Sequence, residues 1–388
     1  MNNLQKMMLM ILARGLPVLR SKTMMPLLVR TDFEQEVKQK GDTINFALPG
    51  TRTVGDVVPG PTSPAPEAST SETVPLVLNH WKQANWGMTD KEMGEIEANK
   101  DFVPLRMQEA FEAMGQYINS AVLANYKGVY GFAGTPGTTP FATNANEIIN
   151  ARKVLAQQRA PMESRRCIID ADAEANALAL SAFQNVAESG DIGTKREGQI
   201  GRKFGFDFFY DDNVPSHTAG NLSDGTAHRA LLNGAVAVGA KTMDLDATSL
   251  TGTVEPGDVF SVAGDSQTYS ITNTSTQTAA ANALAGLTFE PAAKVAWADN
   301  AQVTFKDSHK VNLAFHQDAF ALAFRMPDQG LKELDSVEKL ESVILIDPVT
   351  KIPVRLEKIR QYKQIRWEID VLFGTALLRP ELACRIAG

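Results

Sequence analysis

The residue types that could do chemistry are few, and their spacing builds none of the familiar sites. Five histidines, His80, His217, His228, His309 and His316, are scattered along the chain. None lies in a pattern such as H-E-x-x-H, where two imidazoles one helical turn apart share a zinc ion. Asp170-Ala171-Asp172-Ala173-Glu174 opens like a calcium loop, with acidic oxygens at alternate positions, but Ala175 stands where the sharp turn needs glycine. Asp170 is expected to cap a helix instead. There is no phosphate-cradling G-x-x-x-x-G-K-[ST] loop, and Gly198, Gly201 and Gly205 are wrongly spaced for a dinucleotide turn. No G-x-S-x-G elbow presents a serine nucleophile. Cys167 sits in the run Arg166-Cys167-Ile168-Ile169, a setting for a packed thiol rather than an activated thiolate. The expectation is a protein that is not an enzyme, with no catalytic, cofactor-binding or metal-ligating residue and no cofactor. An oligomeric hydrolase with a β accessory domain stays as a remote alternative, because a site assembled from distant residues leaves no local motif.

Composition narrows the class. Of 388 residues, 44% are hydrophobic and 21% charged, which excludes wholesale disorder, collagen and a polytopic membrane protein. That length implies two or three domains. A net charge of −7 argues against a protein that grips nucleic acid over its whole surface. Two cysteines, Cys167 and Cys384, cannot build a disulfide scaffold and point to a reducing cytosol. No apolar run approaches the roughly 18–20 residues of a membrane span. The apolar stretch Met7–Ala13 is interrupted at Arg14 and lacks a cleavage site, so a signal peptide is not expected. Residues 1–30 carry Lys6, Arg14, Arg20, Lys22 and Arg30 and no acidic side chain. They read either as an extended or partly helical arm that docks on something acidic, or as a frayed terminus.

The elements follow from periodicity. Gly41–Pro49 and Glu72–Trp81 alternate as strands and flank Pro59, Pro61, Pro64 and Pro66, a stiff tip that neither helix nor sheet accepts. The pattern predicts a long hairpin standing away from a core. From Phe102 to Tyr126, Met107, Phe111, Met114, Ile118 and Val122 recur at helical spacing, with Asp101 as N-cap and Pro104 in the first turn. Helices over Asn144–Gln158 and Ala171–Ala187 bracket a buried strand at Arg166–Ile169, and Gly198–Tyr210 reads as strand-turn-strand. From about Asn221 to Asp307 the chain is rich in Thr, Ser, Ala and Gly, with strand patterns at Gly257–Val262, Thr268–Ile271 and Gln302–Phe305. A small all-β module, a barrel, is expected there, inserted in another domain because mixed elements resume at His309. Ile365–Gly374 and Leu378–Ile386 close the chain as strands.

In this order the pieces resemble the major capsid protein of tailed bacteriophages, with its HK97-like fold. The resemblance spans nearly the whole chain. It rests on Asn146-Glu147-Ile148-Ile149-Asn150-Ala151-Arg152-Lys153-Val154-Leu155, on Gly205-Phe206-Asp207-Phe208 leading to Asn213-Val214-Pro215, on Asn312-Leu313-Ala314-Phe315-His316-Gln317-Asp318-Ala319-Phe320, and on Phe373-Gly374 followed by Arg379-Pro380-Glu381. The β module is similar to the insertion domain of certain short-tailed-phage coat proteins. The resemblance implies an α+β chain with an N-terminal arm at 1–38 and an E-loop hairpin at 39–95. A P-domain with the spine helix takes 96–139 and 345–388, an A-domain takes 140–220 and 308–344, and the inserted β-barrel takes 221–307.

It also implies self-assembly as pentamers and hexamers into an icosahedral head around double-stranded DNA bound without sequence specificity. Scaffolding, portal and decoration proteins would be partners, assembly would take place in the host cytoplasm, and no membrane would be involved. Some family members fuse neighbouring subunits through a hairpin lysine; residues 41–81 contain none, the nearest being Lys40 and Lys82. Non-covalent stabilisation is therefore expected. The competing reading is an encapsulin-like nanocompartment shell that encloses enzyme cargo.

Overall fold

The computed structural model of the chain describes residues 3–31, 43–48, 56–57, 59, 72–92, 105–184, 200–326 and 341–388, and the fold below is that of these residues. The N-terminal segment forms helix α1, Asn3–Lys22, and a short helix α2, Met25–Leu28. The expected stripe forms α3, Leu105–Leu123, with Met107, Phe111, Met114, Ile118 and Val122 all buried. The α-helix stops short of Tyr126 because the chain tightens into a 3-10 turn, Ala124–Gly128. There the Asn125 amide donates to the carbonyls of Ala121 (3.3 Å) and Val122 (3.1 Å), which the helix end would otherwise leave open. Asp101 and Pro104 lie outside the described residues.

The basic segment is neither extended nor frayed over residues 3–31. Met8, Ile11, Leu12, Leu16 and Leu19 give α1 an apolar face that is buried in the same core as α3. At their crossing Gly15 meets Phe111 so closely that an added Cβ would overlap the ring. The acidic partners that its charge implied belong to its own chain. Arg20 Nε donates to both carboxylate oxygens of Asp347 at 2.9 and 3.1 Å, and Lys22 Nζ lies 3.1 Å from Asp212 and 3.4 Å from Glu112.

Two sheets share that core. The seven-stranded one runs β4 (Gly131–Gly134), β22 (Ala383–Ala387), β17 (His309–His316), β5 (Arg165–Ile169), β7 (Phe206–Tyr210), β6 (Arg202–Lys203), with β8 (Ser216–His217) also paired to β17. Helices α4 (Asn146–Gln157), α5 (Ala171–Ala179) and α6 (Ser181–Gln184) accompany it. The single helix expected over Ala171–Ala187 is interrupted at Leu180, whose backbone is extended, and residues 185–187 lie outside the described ones. Cys167 and Cys384 flank Ala314 from either side of β17, and burial pushes both thiols up, so both stay protonated packing groups.

The five-stranded sheet joins β18 (Phe320–Arg325), β21 (Gln364–Leu377), β20 (Pro353–Gln361) and β19 (Glu341–Ile346), with β3 (His80–Thr89) along β21 from Thr89↔Gln364 to His80↔Phe373. The alternation over Glu72–Trp81 predicts a single strand that belongs to the hairpin. In the structure the chain leaves the hairpin at Leu78 and starts a new, ten-residue strand in the sheet. The hairpin itself pairs β1 (Thr43–Leu48) with β2 (Glu72–Val77), antiparallel from Thr43↔Val77 to Leu48↔Glu72. It does not stand clear of its own subunit, as Ile44 and Leu76 are fully buried with Ala321, Ala323, Ala376 and Leu378. Gly374 permits that approach, because a side chain there would strike the Val77 carbonyl. Except for Pro59, the Pro-rich tip at 59–66 lies outside the described residues.

The expected β module is a closed barrel of six strands. Strands β9 (Arg229–Leu232), β10 (Thr242–Asp246), β15 (Ala283–Glu290), β13 (Thr268–Ile271), β12 (Val259–Val262) and β16 (Gln302–Phe305) close on one another, while β11 (Thr253–Val254) and β14 (Gln277–Thr278) pair separately. Phe260, Tyr269, Phe289, Trp297 and Phe305 fill it, with Tyr269 edge-on to Trp297 at 5.0 Å. Asp265 accepts from both polar tips, Tyr269 Oη at 2.6 Å and Trp297 Nε1 at 3.1 Å. Burial disfavours that carboxylate, but these bonds and one from the Gln267 amide outweigh it and hold Asp265 below the usual range.

Candidate assembly surface and the buried neck of the barrel

Polar side chains converge where the chain leaves the central sheet for the barrel and returns. His217 on β8 stands directly opposite His309 on β17. His217 Nδ1 is 3.1 Å from the Tyr126 hydroxyl and its Nε2 is 2.8 Å from Asp258 Oδ1. Asp258 also accepts from the backbone N–H groups of Gly220 (3.1 Å) and Glu255 (2.8 Å). Arg385, wholly buried, donates to the carbonyls of Gly257 (2.8 Å) and Lys127 (3.0 Å), with its guanidinium 5.1 Å from the Tyr126 ring centre.

An oxygen, an imidazole and a carboxylate in line have the connectivity of a nucleophile relay. Here the groups are buried, and burial, foremost, raises the Tyr126 phenol above its usual range. A buried phenol that stays protonated is a poor nucleophile. The arrangement binds barrel, 3-10 turn and C-terminal strand into one joint, and each contact carries a share of the desolvation. No local motif announced it: His217 and His309 are brought together only by β8 pairing with β17.

The other histidines hold structure. His80 stacks on Phe373 at 4.9 Å and meets the Tyr117 hydroxyl at 3.0 Å. His228 lies 3.4 Å from Asp307, and His316 accepts from the Asp318 N–H at 3.2 Å. Asp170 caps α5, accepting from Ala173 N–H at 3.2 Å. Among the described residues no group of acidic, histidine or cysteine side chains could hold a metal ion. Two surface hollows, one between β3 and α3 near Arg106 and Glu109, the other near Glu174, Arg202 and Asp207, contain neither histidine nor cysteine.

One surface feature is suited to contact. Trp81, at the root of the hairpin, is 66% exposed, yet its indole is not free to wander. Nε1 donates to Asp370 Oδ2 at 2.8 Å, and Asp370 is held in a two-pronged pair by Arg355 at 2.8 and 2.6 Å. A large aromatic surface held in place before contact loses little side-chain entropy on association.

A family model described as phage capsid protein matches residues 71–272, just over half of the chain. The chain belongs to the phage capsid protein family. In fold it is similar to a solved structure from Mycobacterium phage Che8, at a TM-score of 0.51 over 94% of this chain and 90% of that one, with 12% identity. The capsid structure of the Cyanophage P-SCSP1u matches at a TM-score of 0.48 over 93% and 86%, with 14% identity. No curated protein matches it in sequence. The phage capsid protein thus has the HK97-like fold carrying a closed barrel, and its role is structural, as a component of the virion. Membership in a phage family favours that reading over an encapsulin-like compartment.

Proposed function

We propose that this capsid protein is the major shell subunit, assembling as pentamers and hexamers into an icosahedral head around double-stranded DNA. In this reading residues 1–38 are the N-terminal arm and 39–95 the E-loop, rooted through β3 in the sheet of the P-domain. The P-domain comprises 96–139 and 345–388, the A-domain 140–220 and 308–344, and 221–307 is the inserted domain. The family match carries the reading. Trp81 supports it by providing an oriented, exposed aromatic at the base of the hairpin, where a neighbouring copy would lie. The acidic net charge suits a wall that must not hold its DNA tightly. Scaffolding and portal proteins are the partners such a subunit would require, with assembly in the host cytoplasm. Residues 41–81 lack lysine and Lys82 rests over the Tyr117 ring at 5.3 Å, so cohesion between subunits is non-covalent in this proposal.

Electron microscopy of the purified chain, alone and co-expressed with a scaffolding protein, tests the proposal. Closed shells, or rings of five and six subunits, are the expected result. A chain that stays monomeric under both conditions, or one whose shells form only around an enzyme cargo, would overturn it.

A further inference from the structure

The chain enters the barrel from β8 and returns from it into β17, and at this neck the two paired strands present histidines to each other. His217 lies on the outgoing strand and His309 on the returning one, ring centres 5.4 Å apart. We propose that this histidine pair is an acid-sensitive latch: protonation of His309 loosens the neck and frees the barrel to move relative to the body.

The geometry supplies the reason. His309 Nδ1 sits 2.7 Å from the Asp307 carbonyl, and its Nε2 is buried with no hydrogen-bond partner. A neutral ring tolerates that placement, with Nδ1–H donating and Nε2 bare. A charged ring would carry a second N–H into a space with no acceptor for it. The charges around it add to the cost. Arg385, from β22, is already a buried cation in the joint. Asp258, from the barrel, is the buried anion facing the pair, and it is committed to His217 and to the Gly220 and Glu255 amides. Tyr126, from the 3-10 turn, stays neutral. The Phe132 ring of β4 meets His309 edge-on at 5.2 Å, with Lys306 on Phe132 at 5.7 Å. Lys310 follows on β17, opposite Ser216, and the Asp307 carboxylate is turned to His228 at 3.4 Å. Protonation of His309 therefore adds a second buried cation where Arg385 already balances the Asp258 carboxylate.

Burial, as the largest cause, pushes the His309 imidazole down to about 4, partly opposed by the Asp307 carbonyl. An imidazole whose folded value lies below its unfolded one favours the folded state fully only while it is neutral. That contribution falls as pH drops from about 6.5 toward the folded value. The rest of the seam between body and barrel is limited: its apolar part is Phe132, Val259 and Ala387, and β13 adds two hydroxyl donors, Thr268 to the Tyr130 carbonyl and Ser270 to the Lys127 carbonyl, at 2.7 Å each. The barrel has its own closed core, so the neck can open without unfolding it.

Hydrogen exchange of the full chain, followed by mass spectrometry from pH 7.5 to 4.5 and corrected for the intrinsic rate, reads this directly. Peptides covering 214–220, 255–258 and 306–312 are expected to lose at least about tenfold in protection below pH 6, while those of β12, β13 and β15 keep theirs. His309→Phe, which keeps the edge-on ring contact with Phe132 but cannot titrate, should abolish the step. His309→Gln, which retains a donor for the Asp307 carbonyl, is the second variant should the first fold poorly. Neck protection that is independent of pH, a step that survives in the folded variant, or barrel strands that open together with the neck would each overturn the latch.

Discussion

Phe111 shows what one side chain does in the body of this protein. It is fully buried mid-way along α3, tilted against Trp86 of β3 at 6.5 Å, and receives the backbone of α1 at Gly15. Its truncation would leave a cavity among three elements at once. Phe111→Ala is expected to cost about 3–5 kcal/mol and to lower the melting temperature before any assembly step. A melt at the wild-type temperature would show that the stripe lies outside the core. Asp347 is the corresponding polar anchor: burial raises its carboxyl, but Arg20 and the Thr350 hydroxyl and N–H outweigh it, so its value lies below the ordinary one. A depressed carboxylate stabilises the fold above its unfolded value near about 4 and loses that contribution as pH falls through the folded value. Asp347→Asn should therefore flatten the acid end of the pH–stability curve, measured by urea titration, and speed tryptic release of α1.

At the scale of the element, the barrel and the hairpin differ in how much of their own core they possess. The barrel closes six strands over five aromatics, and its ends meet at β8 and β17, so residues 221–307 can close without the body. Excised, this segment is expected to give dispersed proton resonances and one cooperative melt, at a lower temperature than in the whole chain because the bonds from Arg385 and the Phe132 seam are lost. A collapsed spectrum without a melt would refute independent folding. The parent chain without the insert would bare Phe132 and Ala387 and is expected to aggregate. The two-stranded hairpin, by contrast, completes its core only on β18 and β21.

Across the whole molecule, the proposed shell role predicts that assembly and folding draw on separable surfaces. Deletion of 56–70 removes the Pro-rich tip while leaving the β1–β2 register and its buried Ile44 and Leu76 in place. The expected outcome is a subunit that melts cooperatively but forms fewer shells by sedimentation. Trp81→Ala should act the same way, its exposed ring contributing little to the subunit's own core. Loss of the cooperative melt in either variant would place these residues in the core instead. Much of the architecture was legible in sequence, because α3, β5, the closing strands and the barrel each have a local period that forces one face inward. Asp170 as a cap was legible for the same reason, since a cap stands at a fixed short spacing from the N–H it accepts. What tertiary structure alone decided lies in pairings between distant segments. Basic charge on residues 1–30 spoke of an acidic partner, but only the docking of α1 placed Asp347 and Asp212 beside it. Trp81 gave no sign that it belongs to a new strand rather than ending the hairpin, because alternation continues across Leu78 and pairing with β21 chooses the sheet. The His217–His309 neck has no local signature at all: two residues on either side of an inserted barrel become neighbours only when that barrel closes and brings its ends together.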